Sequence, residues 1–177
     1  MVILDYGHGY DTEGKSYAGF EEWDFNRKVG RYIELELHHR KIPYHVLVPE
    51  KRDIGLITRV ERAEAIDHDL LISIHGNAFK DDLSVSGIET WYYSKVGKKC
   101  AQVLQDKLIQ RMGWNDRGIK KGNFTIIKKT PKTAILSENG FYTNHADRIL
   151  MSDDFWQYSI AMSHAEAIEE ILNSNII

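Results

Sequence analysis

Four ionisable residues stand where strand ends would deliver them to one place. Asp5-Tyr6-Gly7-His8-Gly9 follows the apolar run Val2-Ile3-Leu4. His75-Gly76-Asn77 follows the run Leu70-Leu71-Ile72-Ser73-Ile74. Glu138 closes Ala134-Ile135-Leu136-Ser137, and Glu21-Glu22 opens a helical pattern a short loop after His8. Two histidines and a carboxylate form the ligand set of a catalytic zinc site, which keeps a position for water. A further ionisable group is then needed as general base and acid. His8, Glu22 and His75 suit the ligand roles, and Glu138 the acid–base role. Each residue alone has a plainer reading. Glycines around His8 suit a turn, a positive φ or a close approach. His75 reads equally as a satisfied, partly buried histidine. Glu22 alone reads as a solvated acid at a helix start. Glu138 is costly to bury unless paired or used. The chemical reading rests on all four converging. Asp5 is a candidate to orient a ligand histidine, or else a turn carboxylate. Asn77 either contacts substrate or braces the loop after His75.

Composition narrows the classes. The chain has 177 residues, 42% hydrophobic and 28% charged, which fits one ordinary globular domain over 1–177 rather than a disordered or low-complexity chain. A chain this long buries a core without disulfide or metal staples. The net charge of -3 argues against a nucleic-acid partner. Cys100 is the single cysteine, so any metal must be held by histidines and carboxylates. Cys100 itself reads as a small apolar residue on a helix face. Met1 to Asp5 shows no export signal, and no stretch has the length of a membrane span, so no membrane partner is expected. Among the other histidines, His38 and His39 suit a helix end, while His45, His68, His145 and His164 read as surface or boundary residues.

The elements that must position the four residues follow from periodicity. Val2–Leu4, 45–48, 70–74, 87–93, 124–127 and 134–137 read as strands. Phe25, Val29, Tyr32, Ile33 and Leu37 mark one helix, and Leu56, Val60 and Ala63 a second capped by Asp53. Val96 to Leu108 mark a third, and Tyr158 to Leu172 a last helix starting near Ser152. Strands alternating with helices predict an α/β fold, a single domain with helices on both faces of the sheet. Active groups in such sheets collect at the carboxyl ends of strands.

These segments strongly resemble the zinc-dependent N-acetylmuramoyl-L-alanine amidases of the type 3 amidase family, which includes bacterial cell-wall amidases and phage endolysin catalytic domains. The shared segments are Asp5–Gly9, Glu22 with Asn26, Leu56 with Arg59, Ser73–Ala78, Gly87–Thr90 and Glu138–Asn144, in family order. The resemblance implies zinc on His8, Glu22 and His75, with Glu138 as the catalytic carboxylate. It implies a mixed, twisted sheet of about six strands. It also implies peptidoglycan as substrate, cut between the lactyl group of N-acetylmuramic acid and L-alanine. The place of action is then the bacterial cell wall, reached by secretion, in the periplasm, or by release from the cytoplasm as a phage lysin. Another zinc amidohydrolase or peptidase, or a wall-binding module without catalysis, are the alternatives. Two departures stand out. Tyr10 replaces a frequent glycine, which narrows the rim of the site. The helical plug of the regulated division amidases has no room between Tyr93 and the helix of Cys100, so no activator protein is expected.

Overall fold

The structure, a computed structural model, describes residues 1–13 and 15–177. In chain order the elements are β1 (Val2–Tyr6), β2 (Ser16–Tyr17), β3 (Phe20–Glu21), α1 (Glu22–His39), β4 (Tyr44–Val46), α2 (Leu56–Glu64), β5 (Leu70–Asn77), β6 (Ile88–Tyr92), α3 (Lys95–Met112), β7 (Asp116–Lys121), α4 (Thr125–Lys129), β8 (Thr133–Phe141), α5 (His145–Met151) and α6 (Asp154–Asn173). Six strands form one mixed sheet in the order β4-β1-β5-β8-β6-β7. Its neighbours run parallel except β8 and β6, which are antiparallel. The strands β2 and β3 make a small separate ribbon. Among the described residues, no helix is long and apolar enough to cross a membrane.

Alternation along the strands divides the sheet's side chains between two cores. Val2, Leu4, Leu70, Ile72, Ile74, Ile88 and Ile135 pack in one core with residues of α1, α3 and α6. Ile3, Leu71, Ala134 and Leu136 pack in a smaller one with Val60, Ala63, Ile126 and Ile127 of α2 and α4. Each fully buried Leu or Ile contributes about 1.5–3 kcal/mol. On the smaller-core face the apolar positions stop at Ile3, Leu71 and Leu136. The next positions of the same parity are Asp5, Ser73, His75 and Glu138. The hydrophobic pattern therefore ends where the chemistry begins.

Several elements depart from the sequence expectations. Residues 124–127 do not form a strand; Thr125–Lys129 is helical. Both Ile126 and Ile127 are buried there, and so short an apolar run looks the same in either state. The sixth strand is β7, an edge strand of sequence Asp-Arg-Gly-Ile-Lys-Lys that carries no apolar alternation. Asp53 does not cap α2, whose N-cap is Gly55; its carboxylate is taken by Arg59 and Thr12. Leu56 is exposed rather than part of the core face. Glu138 lies inside β8, which runs on to Phe141. The expected last helix is α6, capped by Asp153 through a 2.8 Å bond from the Trp156 N–H, and a short additional helix, α5, precedes it.

Two histidines expected near the surface, His68 and His164, are buried. His164 sits in α6 with Nδ1 2.8 Å from the Ile160 carbonyl and Nε2 2.9 Å from Ser137 Oγ. The carbonyl only accepts, so Nδ1 carries the proton and Nε2 accepts from Ser137. Burial pushes this imidazole down to about 4. Above the unfolded value near 6.5 neither state binds the proton. As pH falls from there toward 4, the unfolded chain takes up a proton that the folded chain refuses. Stability therefore falls across that window by about 3 kcal/mol from this group. Urea unfolding should show the slope of stability against pH, between pH 6.5 and 4.5, become shallower in His164→Gln. An unchanged slope would show that His164 does not titrate this way.

Candidate functional site

The three expected ligands meet. His8 Nε2 lies 3.3 Å and His75 Nδ1 3.0 Å from Glu22 Oε1. One donor atom from each residue falls within 4.8 Å of the others. Glu22 is 2% exposed, whereas its neighbour Glu21 is exposed to solvent. Burial opposes ionisation of Glu22, but hydrogen bonds and charge from His75 and His8 outweigh it and hold the carboxyl below its ordinary range. The other carboxylate oxygen accepts from the Tyr142 hydroxyl at 3.3 Å.

Local backbone explains the His8 turn. The positive φ of 64° belongs to His8 itself, while the flanking glycines serve close approach. A Cβ at Gly7 would stand 2.1 Å from the His75 ring, and one at Gly9 would stand 2.0 Å from the Asp53 amide nitrogen. A left-handed conformation at a residue with a side chain costs about 1–2 kcal/mol, so surrounding contacts must hold it. Asn26, one helical turn after Glu22, donates to the Gly7 carbonyl at 2.9 Å. Tyr10 stands exposed at this loop, edge-on to Trp23.

Behind His75 lies a buried relay. His75 Nε2 is 3.1 Å from Ser73 Oγ, which donates to Asp5 Oδ2 at 2.7 Å. The other Asp5 oxygen pairs with Arg59 at 2.6 Å. Arg59 also donates to the Tyr6 carbonyl at 2.8 Å and the Ile54 carbonyl at 2.7 Å. The hydrogen bonds of Asp5 thus go to Ser73 and Arg59, and it reaches a histidine only through Ser73. A cation taking the Nδ1 lone pair would leave the proton on Nε2, which would then donate to Ser73 Oγ. That fixes both tautomer and ring orientation.

Glu138 faces the same space. It is register-paired with His75 on β5 and with Glu89 on β6. It is 8% exposed, and its Oε2 is buried without a hydrogen-bond partner among the described residues. Burial, with the charges of Glu22 and Glu89 nearby, pushes its carboxyl well above the ordinary range. An unpartnered buried carboxyl oxygen is expensive unless something outside the protein uses it. Glu138, His8, Glu22 and His75 line a cleft of about 440 Å³ whose walls include Leu56 and Phe124. Asn77 also lines it, but its side chain accepts from the Ala78 N–H at 2.8 Å and donates to Glu89 at 3.1 Å. Of the two readings for Asn77, these bonds are those of a brace.

Two imidazole nitrogens and a carboxylate oxygen suit a borderline divalent ion such as zinc. The residues present fit such an ion, since one atom from each of two imidazoles and a buried, ionised carboxylate converge within 4.8 Å of one another. Ser73 and Tyr142 were not singled out from the sequence. The parity of Ser73 with Asp5 and His75 was available as a signal; nothing local marked Tyr142.

The chain matches the family model described as N-acetylmuramoyl-L-alanine amidase over residues 2–170. It is 34% identical to the endolysin of Bacillus phage SPP1, covering 98% of this chain and 66% of the endolysin. It is 30% identical to N-acetylmuramoyl-L-alanine amidase LytC of Bacillus subtilis, covering 82% of this chain but 30% of LytC. Among solved structures, an N-acetylmuramoyl-L-alanine amidase from Clostridium difficile superposes with a TM-score of 0.92 at 28% identity, covering 98% of this chain and 97% of that one.

Proposed function

The chain belongs to the N-acetylmuramoyl-L-alanine amidase family, and from that membership we propose that it hydrolyses peptidoglycan at the amide between the lactyl group of N-acetylmuramic acid and L-alanine. His8, Glu22 and His75 would hold a zinc ion. When bound, zinc supplies a Lewis acid that activates water near neutral pH and polarises a carbonyl oxygen.

The observation that carries the reading is Glu138 Oε2, buried and unpartnered beside the three ligands. Glu138 takes a proton as water adds to the lactyl carbonyl, then passes it to the alanine nitrogen so that a neutral amine departs. Its Oε2, buried with no partner among the described residues, is the atom that takes and returns the proton. Glu22 stays ionised, held by its two histidines and Tyr142. Ser73 and Asp5 keep the His75 ring in place.

The reaction is tested by its products. Digested peptidoglycan should gain free amino groups on L-alanine without new reducing sugar ends. New reducing ends, or free amino groups on another residue, would overturn the assignment.

Two further outcomes follow. Ser73→Ala should weaken zinc binding by about 10–100-fold in competition with a chelator. A change under about twofold would show that the hydroxyl does not orient His75. The second concerns access. Only Tyr93 and Ser94 separate β6 from α3, leaving no helical insert there. The purified chain is therefore expected to cleave without an added protein. Activity that appears only on adding a partner would contradict this.

A further inference from the structure

We propose that Arg117 and Lys120 form an anion subsite at the β7 end of the row that starts at His75 and Glu138, which takes the free carboxylate of an acidic second residue of the stem peptide. The proposal rests on the amidase reading and adds a specificity determinant to it.

The sheet register sets the geometry. His75, Glu138 and Glu89 are matched partners across β5, β8 and β6, so they form one row on one face. Glu89 is 3% exposed and saturated. Its Oε1 accepts from Asn77 at 3.1 Å and from the Trp91 indole at 3.0 Å. Its Oε2 accepts both from Arg117 Nε at 2.8 Å and from Lys120 Nζ. Burial opposes ionisation of Glu89, but the hydrogen bonds from Lys120 and Arg117 outweigh it and hold the carboxyl low.

One cation would satisfy that carboxylate. Two leave a surplus positive charge at the row's end. Both remain reachable: the Arg117 side chain is 30% exposed and that of Lys120 is 32% exposed. Among the described residues, Arg117 uses only Nε in hydrogen bonding, so its two terminal nitrogens keep their donors. Both side chains are also pinned. The guanidinium lies 4.8 Å from the Phe141 ring centroid, and the ammonium 5.5 Å from the Trp91 ring centroid. Little side-chain entropy remains to be lost when an anion binds.

The spacing suits the product peptide. β8 and β7 are two strand spacings apart, roughly 10 Å. The alanine nitrogen sits at Glu138, and two extended residues span about 7 Å. Both cations lean back toward Glu89, which shortens the remaining distance. A peptide running from Glu138 over Glu89 therefore brings a second-residue carboxylate to the cationic end.

The test uses two muramoyl tripeptides, one with the second-residue carboxylate free and one with it converted to the carboxamide. The unaltered chain should favour the free acid by about tenfold in kcat/KM, as expected for charge-assisted hydrogen bonds. Arg117→Gln and Lys120→Gln should each bring that ratio toward one. Partial misfolding lowers both rates together and leaves the ratio intact. A ratio of one in the unaltered chain, or a ratio unmoved by both substitutions, overturns the subsite while leaving the amidase reading standing. Failure to release the peptide from either substrate overturns the amidase reading and the subsite with it.

Discussion

Glu138→Gln should lose turnover by about 100- to 10,000-fold, the range that a positioned general acid–base supplies. The substitution keeps the shape of the side chain and removes only its ability to take and return a proton. Zinc content should not fall, because the three proposed ligand atoms belong to His8, Glu22 and His75. Stability should hold or rise. The native carboxyl is buried near the charges of Glu22 and Glu89, all of which oppose its ionisation. Removing a group whose burial is unfavourable relieves the fold, as is common where activity needs a strained site. The combination is diagnostic: a folded, metal-loaded, inactive chain with an unchanged or higher melting temperature. Wall hydrolysis within a few-fold of the unaltered rate would remove Glu138 from the mechanism. Loss of zinc would show that it contributes to the metal site.

Glu22→Gln should empty the site. A neutral amide is a poor donor to a divalent cation and can no longer offset its charge. Glu21→Gln provides the control, since Glu21 is exposed and the adjacent Glu22 makes the contacts to both histidines. Metal analysis after dialysis should find zinc at one equivalent in Glu21→Gln and at background in Glu22→Gln, with activity following the metal. His75→Ala should behave like Glu22→Gln. Should Glu22→Gln retain stoichiometric zinc, the ligand set is wrong. Loss of zinc in Glu21→Gln would point to the neighbouring carboxylate instead.

Much of the convergence of these side chains is legible in the sequence. His8, His75 and Glu138 each follow an apolar run in sequence, and runs of that kind form adjacent strands. Glu22 was harder, because Glu21 shares its chemistry; burial at the helix start separates them. The relay behind His75 was partly legible. Asp5 stood out as a carboxylate, but its route through Ser73 depends on β1 and β5 lying in register, with Asp5 opposite Ser73. Tyr142 reaches Glu22 from 120 positions away, a contact no local pattern encodes. The fold class was readable from alternating strand and helix periods. The errors fell where local signals are weakest. Residues 124–127 are too short to distinguish helix from strand. β7 is a polar edge strand without apolar alternation, and its charged side chains serve Glu89. His164 is buried through a capped tautomer that its neighbours in sequence do not reveal.

His8, Glu22 and His75 are proposed to hold the catalytic metal. Anomalous diffraction from zinc-soaked crystals, collected on both sides of the zinc absorption edge, tests it directly. One strong peak is expected about 2.0–2.2 Å from His8 Nε2, His75 Nδ1 and a Glu22 carboxylate oxygen, with a remaining position facing the cleft. A peak bound elsewhere, ligation by His75 through Nε2, or a centre closed by four protein ligands would contradict it.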